Sequence, residues 1–259
     1  MKGSIFQNDK WLTVAAIVFI VCVWWIASSF YPPIILPSPA DTLKKFYELL
    51  IAGKLVNELL ITIQRVLLAF TISFLIGAIL GSLVGKTKNL YLFVKPIITI
   101  IQTVPPISWI ILAIIWMGLG GGAPIFVVII ATFPIFFFNA SEGIKQVSED
   151  LLEMSTIFQV KPQRVLLDVY VPSLWPFISS AITICIGISW KTIVMAELLS
   201  SNNGVGAALG LARLQLETAE VLAWTLSIVI LGVTCEHIFQ YVSDKTRVGK
   251  VSKSWKLKG

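Results

Sequence analysis

Residues 59–85 read LLITIQRVLLAFTISFLIGAILGSLVG. The stretch holds one charged residue, Arg65, and no proline. A helix needs about 20 predominantly apolar residues to cross the hydrocarbon core of a bilayer, so this segment predicts a membrane span. Gly77, Gly81 and Gly85 recur at intervals of four. On a helix they stack on one face, where the missing side chains let a neighbouring helix approach closely. The predicted role of this stripe is helix packing.

Outward from this span the chain keeps the same character. Of its 259 residues 56% are apolar and 13% charged, where a soluble domain carries about a quarter charged. Mean hydropathy is +0.87. This excludes an ordinary cytosolic enzyme, a disordered chain and a secreted disulfide scaffold. Upstream, residues 11–30 form a first apolar run, longer than the roughly 7–15 residues of a signal-peptide core, and predict a retained anchor. Residues 31–39, YPPIILPSP, hold too many prolines for a helix and predict an extended connector. In residues 41–50, Leu43, Phe46, Tyr47 and Leu50 recur at helical spacing between charges, the pattern of an interfacial helix. Downstream, apolar runs at 90–118, 124–139, 173–199 and 221–241 complete six predicted spans. The predicted fold is an all-α integral membrane protein, one transmembrane domain over residues 1–259.

Six spans place both termini on one side. That side carries 14 of the Lys and Arg residues, among them Lys86, Lys88, Lys95, Lys145, Lys161 and Arg164. The other carries 4: Lys44, Lys45, Lys54 and Arg213. Basic residues stay cytoplasmic, so both termini and the polar stretch 140–172 are predicted to face the cytoplasm. In this setting the net charge of +6 is an orientation signal, and no nucleic-acid partner is expected.

Val104-Pro105-Pro106 interrupts the third run. A double proline removes two backbone donors and breaks a helix. At membrane depth freed backbone is tolerated only where protein or a water-filled cavity covers it. The break, with Gln102, Ser108 and Trp109 beside it, is thus predicted to line a translocation route or its gate; the alternative is a packed kink. Intramembrane ionisable residues are functional candidates as well. Lys191, in the outer part of the fifth span, would attract an anionic solute or snorkel outward. Glu197, at the outer end of that span, would contact an external partner or serve helix packing. The two are six residues apart, about 240° around a helix, and so are not a direct pair. Arg65 is expected at the membrane interface. Trp11, Tyr31, Trp175, Trp224 and Tyr241 fall near span ends, as aromatic belts do. Cys22, Cys185 and Cys235 lie in apolar runs and read as small buried hydrophobes; no metal site is expected.

Within the polar stretch, Ser148-Glu149-Asp150 opens a helix with a capping serine and two acids. Val147, Leu151, Met154 and Phe158 follow at intervals of four, three and four, one apolar face of a short helix. Lys161-Pro162 ends it and starts a second helix, with Val165, Leu166 and Val169 leading to Pro172. Such a helix–turn–helix between spans four and five either docks on a partner or folds back on its own membrane domain.

These residues resemble a family. Permeases of bacterial ABC importers carry a cytoplasmic loop of pattern Glu-Ala-Ala, three residues, Gly, nine residues, Ile, one residue, Leu-Pro. Here Glu153-Met154-Ser155 takes the first place, Val169 the isoleucine place and Val171-Pro172 the last, with every interval kept. Gln159 stands at the glycine, a position that favours a left-handed turn conformation. Leu36-Pro37-Ser38-Pro39, Val104-Pro105-Pro106-Ile107-Ser108-Trp109, Trp116-Met117-Gly118, Gly187-Ile188-Ser189-Trp190 and Ala196-Glu197-Leu198 resemble the nitrate/sulfonate/taurine branch.

The resemblance implies a machine in the bacterial inner membrane. A homodimer of permeases would receive solute from an extracytoplasmic binding protein. Two ATP-binding subunits, holding ATP and Mg, would dock on a coupling segment comprising Leu151, Glu153, Met154, Ser155, Phe158, Gln159 and Pro172. The chain would itself hold no cofactor and catalyse nothing. The branch covers organic and inorganic anions and also vitamin precursors.

Other readings are weaker. Gly85-Lys86-Thr87 suggests a phosphate-binding loop, but the required upstream glycine falls at Leu80 and a span, not a strand, precedes it. Asn139-Ala140-Ser141 matches a glycosylation site but lies at the cytoplasmic face. A single histidine, His237, disfavours an intramembrane hydrolase. A stand-alone secondary transporter would show paired broken helices, and one clear break is present.

Overall fold

In the computed structural model the described backbone covers residues 5–256, and side chains are described for residues 11–239 and 241. The basic tail after Ser243 and the amino-terminal lysines therefore lie outside the described side chains. The elements are helical: α1 (Ile5–Ser28), α2 (Pro39–Ile51), α3 (Lys54–Gly85), α4 (Lys88–Thr103), α5 (Pro106–Met117), α6 (Gly122–Lys145), α7 (Glu149–Ile157), α8 (Pro162–Val165), a π turn (Leu166–Tyr170), α9 (Val171–Ser200), α10 (Val205–Leu214) and α11 (Thr218–Lys256). Among the described residues five helices are long and apolar enough to cross a membrane, and the pair α4–α5, bent by 90°, makes a sixth crossing when taken together.

The bundle is built around α6, against which α3 packs along the glycine stripe. A methyl at Gly77 would lie 2.5 Å from Phe136 Cβ, and one at Gly85 2.9 Å from Ser141 Cα. One at Gly81 would overlap the Phe137 carbonyl. Only bare backbone fits this contact. Hydroxyls reinforce it: Ser141 Oγ donates to Gly81 O at 3.0 Å, and Ser73 and Thr132 are 2.7 Å apart. Phe136 sits edge-on to Phe70 and Phe74 at 5.4 Å each. On its other faces α6 meets α5 and α9, where Ile110, Ala113, Val127 and Ala196 form a buried cluster.

At the end of the molecule that carries Lys45 and Lys54, α2 packs against α11 and α3. Ser38 and Asp41 form a reciprocal cap, Ser38 Oγ accepting from Asp41 N at 3.2 Å. Pro39 thus begins a helix instead of closing the predicted connector. Lys45 and Lys54 reach Glu220 of α11 at 3.6 and 3.2 Å. Trp224 is fully buried with Leu49, Leu55 and Val205 and donates to Glu220 at 3.2 Å. It is a core residue, not part of an interfacial belt, because α2 and α10 cover that end of α11. Conversely, residues 11–23 of α1 are nearly all apolar and all exposed, Trp11 at 76% and Phe19 at 68%. Such a surface belongs in a membrane and not in water. Cys22 shares this exposure, contrary to the expectation of burial, whereas Cys185 is buried.

The helix expected after Lys161 does not stop before the fifth span. Residues 162–200 run as one helix through the π turn, in which Val171 N donates to Leu166 O. Pro172 lacks the N–H of a regular turn, and the wider π turn absorbs the defect without breaking the axis.

Candidate functional site

Three places gather the candidate residues. The first is α7. No residue of it is buried. Leu151, Met154 and Phe158 are 46, 51 and 73% exposed, and Ile157 beside them 75%. Glu153 is exposed; Leu152 and Ser155 are half-buried against the body of the molecule. The helix presents an apolar face to its surroundings and a small one to its own membrane domain. Ser148 occupies the capping position, but its side chain makes no cap bond. The carboxyl end is better built. Val160 N donates to Ser155 O at 2.9 Å and Gln159 N to Thr156 O at 3.1 Å. These are the two bonds of a Schellman cap, and Gln159 takes its left-handed position with φ +49. Glutamine adopts the conformation for which the family pattern has glycine. Pro172 lies farther on, half-buried inside the continuous helix.

The second place is the chain break. Val104 and Pro105 are extended, with ψ of 127 and 139. Trp109 Nε1 reaches back across the break to Ile101 O at 3.4 Å, and Ser108 N donates to Pro105 O at 3.0 Å. Gln102, Pro105 and Pro106 are exposed; Ser108 is half-buried. Behind the break lies a cavity of about 220 Å³ lined by Gln102, Pro106 and Trp109, by Val127 and Ala131 of α6, and by Thr192 of α9. The break thus borders this cavity, with Gln102, Pro105 and Pro106 at the surface of the chain.

The third place joins residues that were considered separately. Glu197 has no accessible surface. Arg65 Nη1 donates to its Oε1 at 2.7 Å, Thr62 Oγ1 lies 2.9 Å from Oε2, and Gly206 N donates to Oε2 at 3.1 Å. Arg65 also donates to Asn203 O at 2.9 Å and to the Asn203 side chain. Gly204 has φ +96, and a side chain there or at Gly206 would collide with Glu197. Glu58 accepts from Gly204 N, and Gly120 N donates to Ser200 O at 2.7 Å. Together these bonds tie α3, α9, α10 and the α5–α6 turn at one end. Arg65 is therefore turned inward, not placed at the interface, because a buried carboxylate requires a partner. Of the two roles open to Glu197, the geometry gives packing. Lys191 is exposed elsewhere on α9 and, among the described residues, has no carboxylate partner.

An all-helical span bundle with a broken helix over a cavity and a projecting apolar helix is the build of a membrane transport subunit. Residues 73–248 match the family of binding-protein-dependent transport system inner membrane components, and the chain belongs to that family. It is 28% identical over 231 residues to a putative ABC transporter permease of Methanocaldococcus jannaschii, covering 87% of this chain and 86% of that one. It is 28% identical to the putative aliphatic sulfonates permease SsuC of Bacillus subtilis, covering 87 and 83%. The taurine permease TauC of Escherichia coli is also 28% identical, covering 87 and 84%. The fold is similar to that of a chain in an inward-facing structure of the MetNI methionine ABC transporter, with TM-score 0.54 at 18% identity, over 71% of this chain and 92% of that one. The protein is a multi-pass permease of the ABC importer class.

Proposed function

We propose that two copies of this chain form the membrane channel of an importer for a small oxyanion. An external binding protein delivers the solute, and two ATP-binding subunits, which hold ATP and Mg, seat α7 in a groove. Both termini face the cytoplasm, on the side carrying 14 basic residues. The observation that carries the reading is α7: an apolar face left uncovered at a polar end of the molecule is explained by a docking partner. Relatives named for sulfonates, taurine and, at 25% identity, nitrate support an anion. The cavity at the chain break is lined by uncharged residues, which leaves the choice of solute to the binding protein and makes Lys191 the candidate electrostatic guide. Chemistry stays in the partner: this chain binds, couples and opens a path.

The test is reconstitution. The chain is purified with and without its ATP-binding subunit, and solute flux and ATP hydrolysis are measured in proteoliposomes. Flux should require both subunits and the binding protein; flux through the chain alone would mark a stand-alone transporter. Cysteines at Gln102, Ser108 and Trp109 should change in accessibility with ATP state. Equal protection in every state would make the break a packed kink.

A further inference from the structure

Beside the tight seam between α3 and α6 a gap opens on the neighbouring face of α3. There a groove of about 510 Å³ separates α3 from α9, lined by Phe74, Ala78 and Leu83 on one wall and Leu174, Trp175 and Ile178 on the other. Lys86 and Tyr170 stand at one end of it. From Phe74 to Lys86 is about 18 Å along a helix axis, slightly more than the depth of one leaflet, half of the ~30 Å core. Leu166 and Tyr170, both in the π turn, line the groove together.

At that polar end the groove opens into a recess of about 670 Å³, which shares Lys86, Tyr170 and Ile144 with it and adds Lys88, Tyr91 and Lys145. Lys145 is already committed: it pairs with Glu142 at 2.7 Å and lies over the Tyr91 ring at 3.4 Å. Glu149 stands in the lining. Among the described residues Lys86 and Lys88 have no carboxylate partner, and Lys86 lies over the Tyr170 ring at 5.1 Å. A basic recess with tyrosines at its wall therefore runs into an apolar slot one leaflet deep, with Trp175 beside it.

We propose that this groove and recess form a binding site for an anionic phospholipid, with an acyl chain between α3 and α9 and the headgroup phosphate between Lys86 and Lys88. Basic pockets between spans on the cytoplasmic side suit such headgroups, and the leaflet assignment rests on the orientation proposed above. A soluble ATPase does not reach a slot at membrane depth. Because Val147, Glu149 and Leu152 also line the recess, the lipid would brace the base of α7 from the membrane side.

The experiment is native mass spectrometry of the full chain in mild detergent with phosphatidylglycerol or phosphatidylcholine of matched acyl chains. The phosphatidylglycerol adduct should dominate. Lys86→Gln with Lys88→Gln should reduce it, by roughly fivefold for each lysine removed, while Lys44→Gln with Arg213→Gln at the other end leaves it unchanged. Ala78→Trp, which fills the slot, should remove adducts of both lipids without changing the oligomeric state or the melting temperature. Equal retention of the two lipids, or retention indifferent to the lysine pair, overturns the proposal. Competition by millimolar glycerol phosphate would assign the recess to a free phosphate. Loss of the dimer in Ala78→Trp would assign the slot to a second copy. None of these readouts needs the ATPase, so failure here is separable from failure of the transport reading.

Discussion

The two ends of the molecule handle their exposed and buried groups in opposite ways. At the Glu197 end a charge with no accessible surface is met by Arg65, Thr62 and Gly206, and Asn203 takes up the rest of the guanidinium. The buried charge there needs no group from outside the chain. At the α7 end no residue of the helix is buried, and Leu151, Met154 and Ile157, with Phe158 after them, are exposed. The Glu197 cluster satisfies its own groups and ties helices together; the apolar face of α7 is left uncovered, which supports the docking role proposed for it. The difference separates residues that maintain the permease from residues that connect it.

The largest expected effect breaks the comparison at α7. Burying a Leu or Phe side chain contributes roughly 1.5–3 kcal/mol. Leu151→Ser with Phe158→Ser should therefore weaken ATPase docking by about two to four orders of magnitude, while the melting temperature of the isolated permease stays put. Pull-down of the ATP-binding subunit and solute-stimulated hydrolysis measure the one, thermal unfolding the other. Normal docking in this variant would remove α7 as the coupling element.

Arg65→Ala should do the reverse. It leaves Glu197 buried without its cation, a loss of about 3–5 kcal/mol, and should loosen the turn through Asn203. A cysteine at Ser201 should then label faster from outside, with ATPase docking retained. Replacing both partners by leucine should recover most of the stability, because the desolvation cost leaves with the charges. If Arg65→Ala melts like the parent, the pair is incidental.

Gly81→Val tests the seam between the ends. Its side chain would force α3 away from the Phe137 carbonyl, at a cost of about 1–3 kcal/mol or more. Gly187→Ala, which meets nothing within 4 Å, should be neutral or slightly stabilising in the same unfolding assay.

How much of this was legible in the sequence depends on the range of the interaction. The spans, the break at Pro105-Pro106 and the apolar face of α7 are local properties, set by hydropathy, a missing N–H and helical period. The bond between Arg65 and Glu197 joins residues 132 apart, and a reading span by span weighed Glu197 against Lys191 because the two share a helix. The usable signal was that Arg65 and Glu197 are opposite charges at similar depth in different spans, where burial forces pairing. Trp224 was misplaced for a related reason: proximity to a span end says nothing of the helices α2 and α10 that cover it. Pro172 marked the end of the polar stretch before the fifth span, yet a π turn at Leu166–Tyr170 carries the helix on past it.

The smallest expected effect sharpens the α7 end. Gln159 holds a left-handed backbone, φ +49, to complete the cap that turns the chain from α7 into α8. A residue with a Cβ loses roughly 1–2 kcal/mol in that conformation, and glycine does not. Gln159→Gly should therefore relieve strain in the folded turn, offset in part by the greater freedom glycine has in the unfolded chain. The net gain should be at most about 1 kcal/mol, read as slower amide exchange at Val160, whose N–H closes the cap on Ser155. Docking should be unchanged, since the substitution keeps the cap and leaves the anchors Leu151, Met154 and Phe158 in place. Faster exchange at Val160 would mean that the glutamine side chain itself supports the turn, and that the departure from glycine is compensated, not merely tolerated.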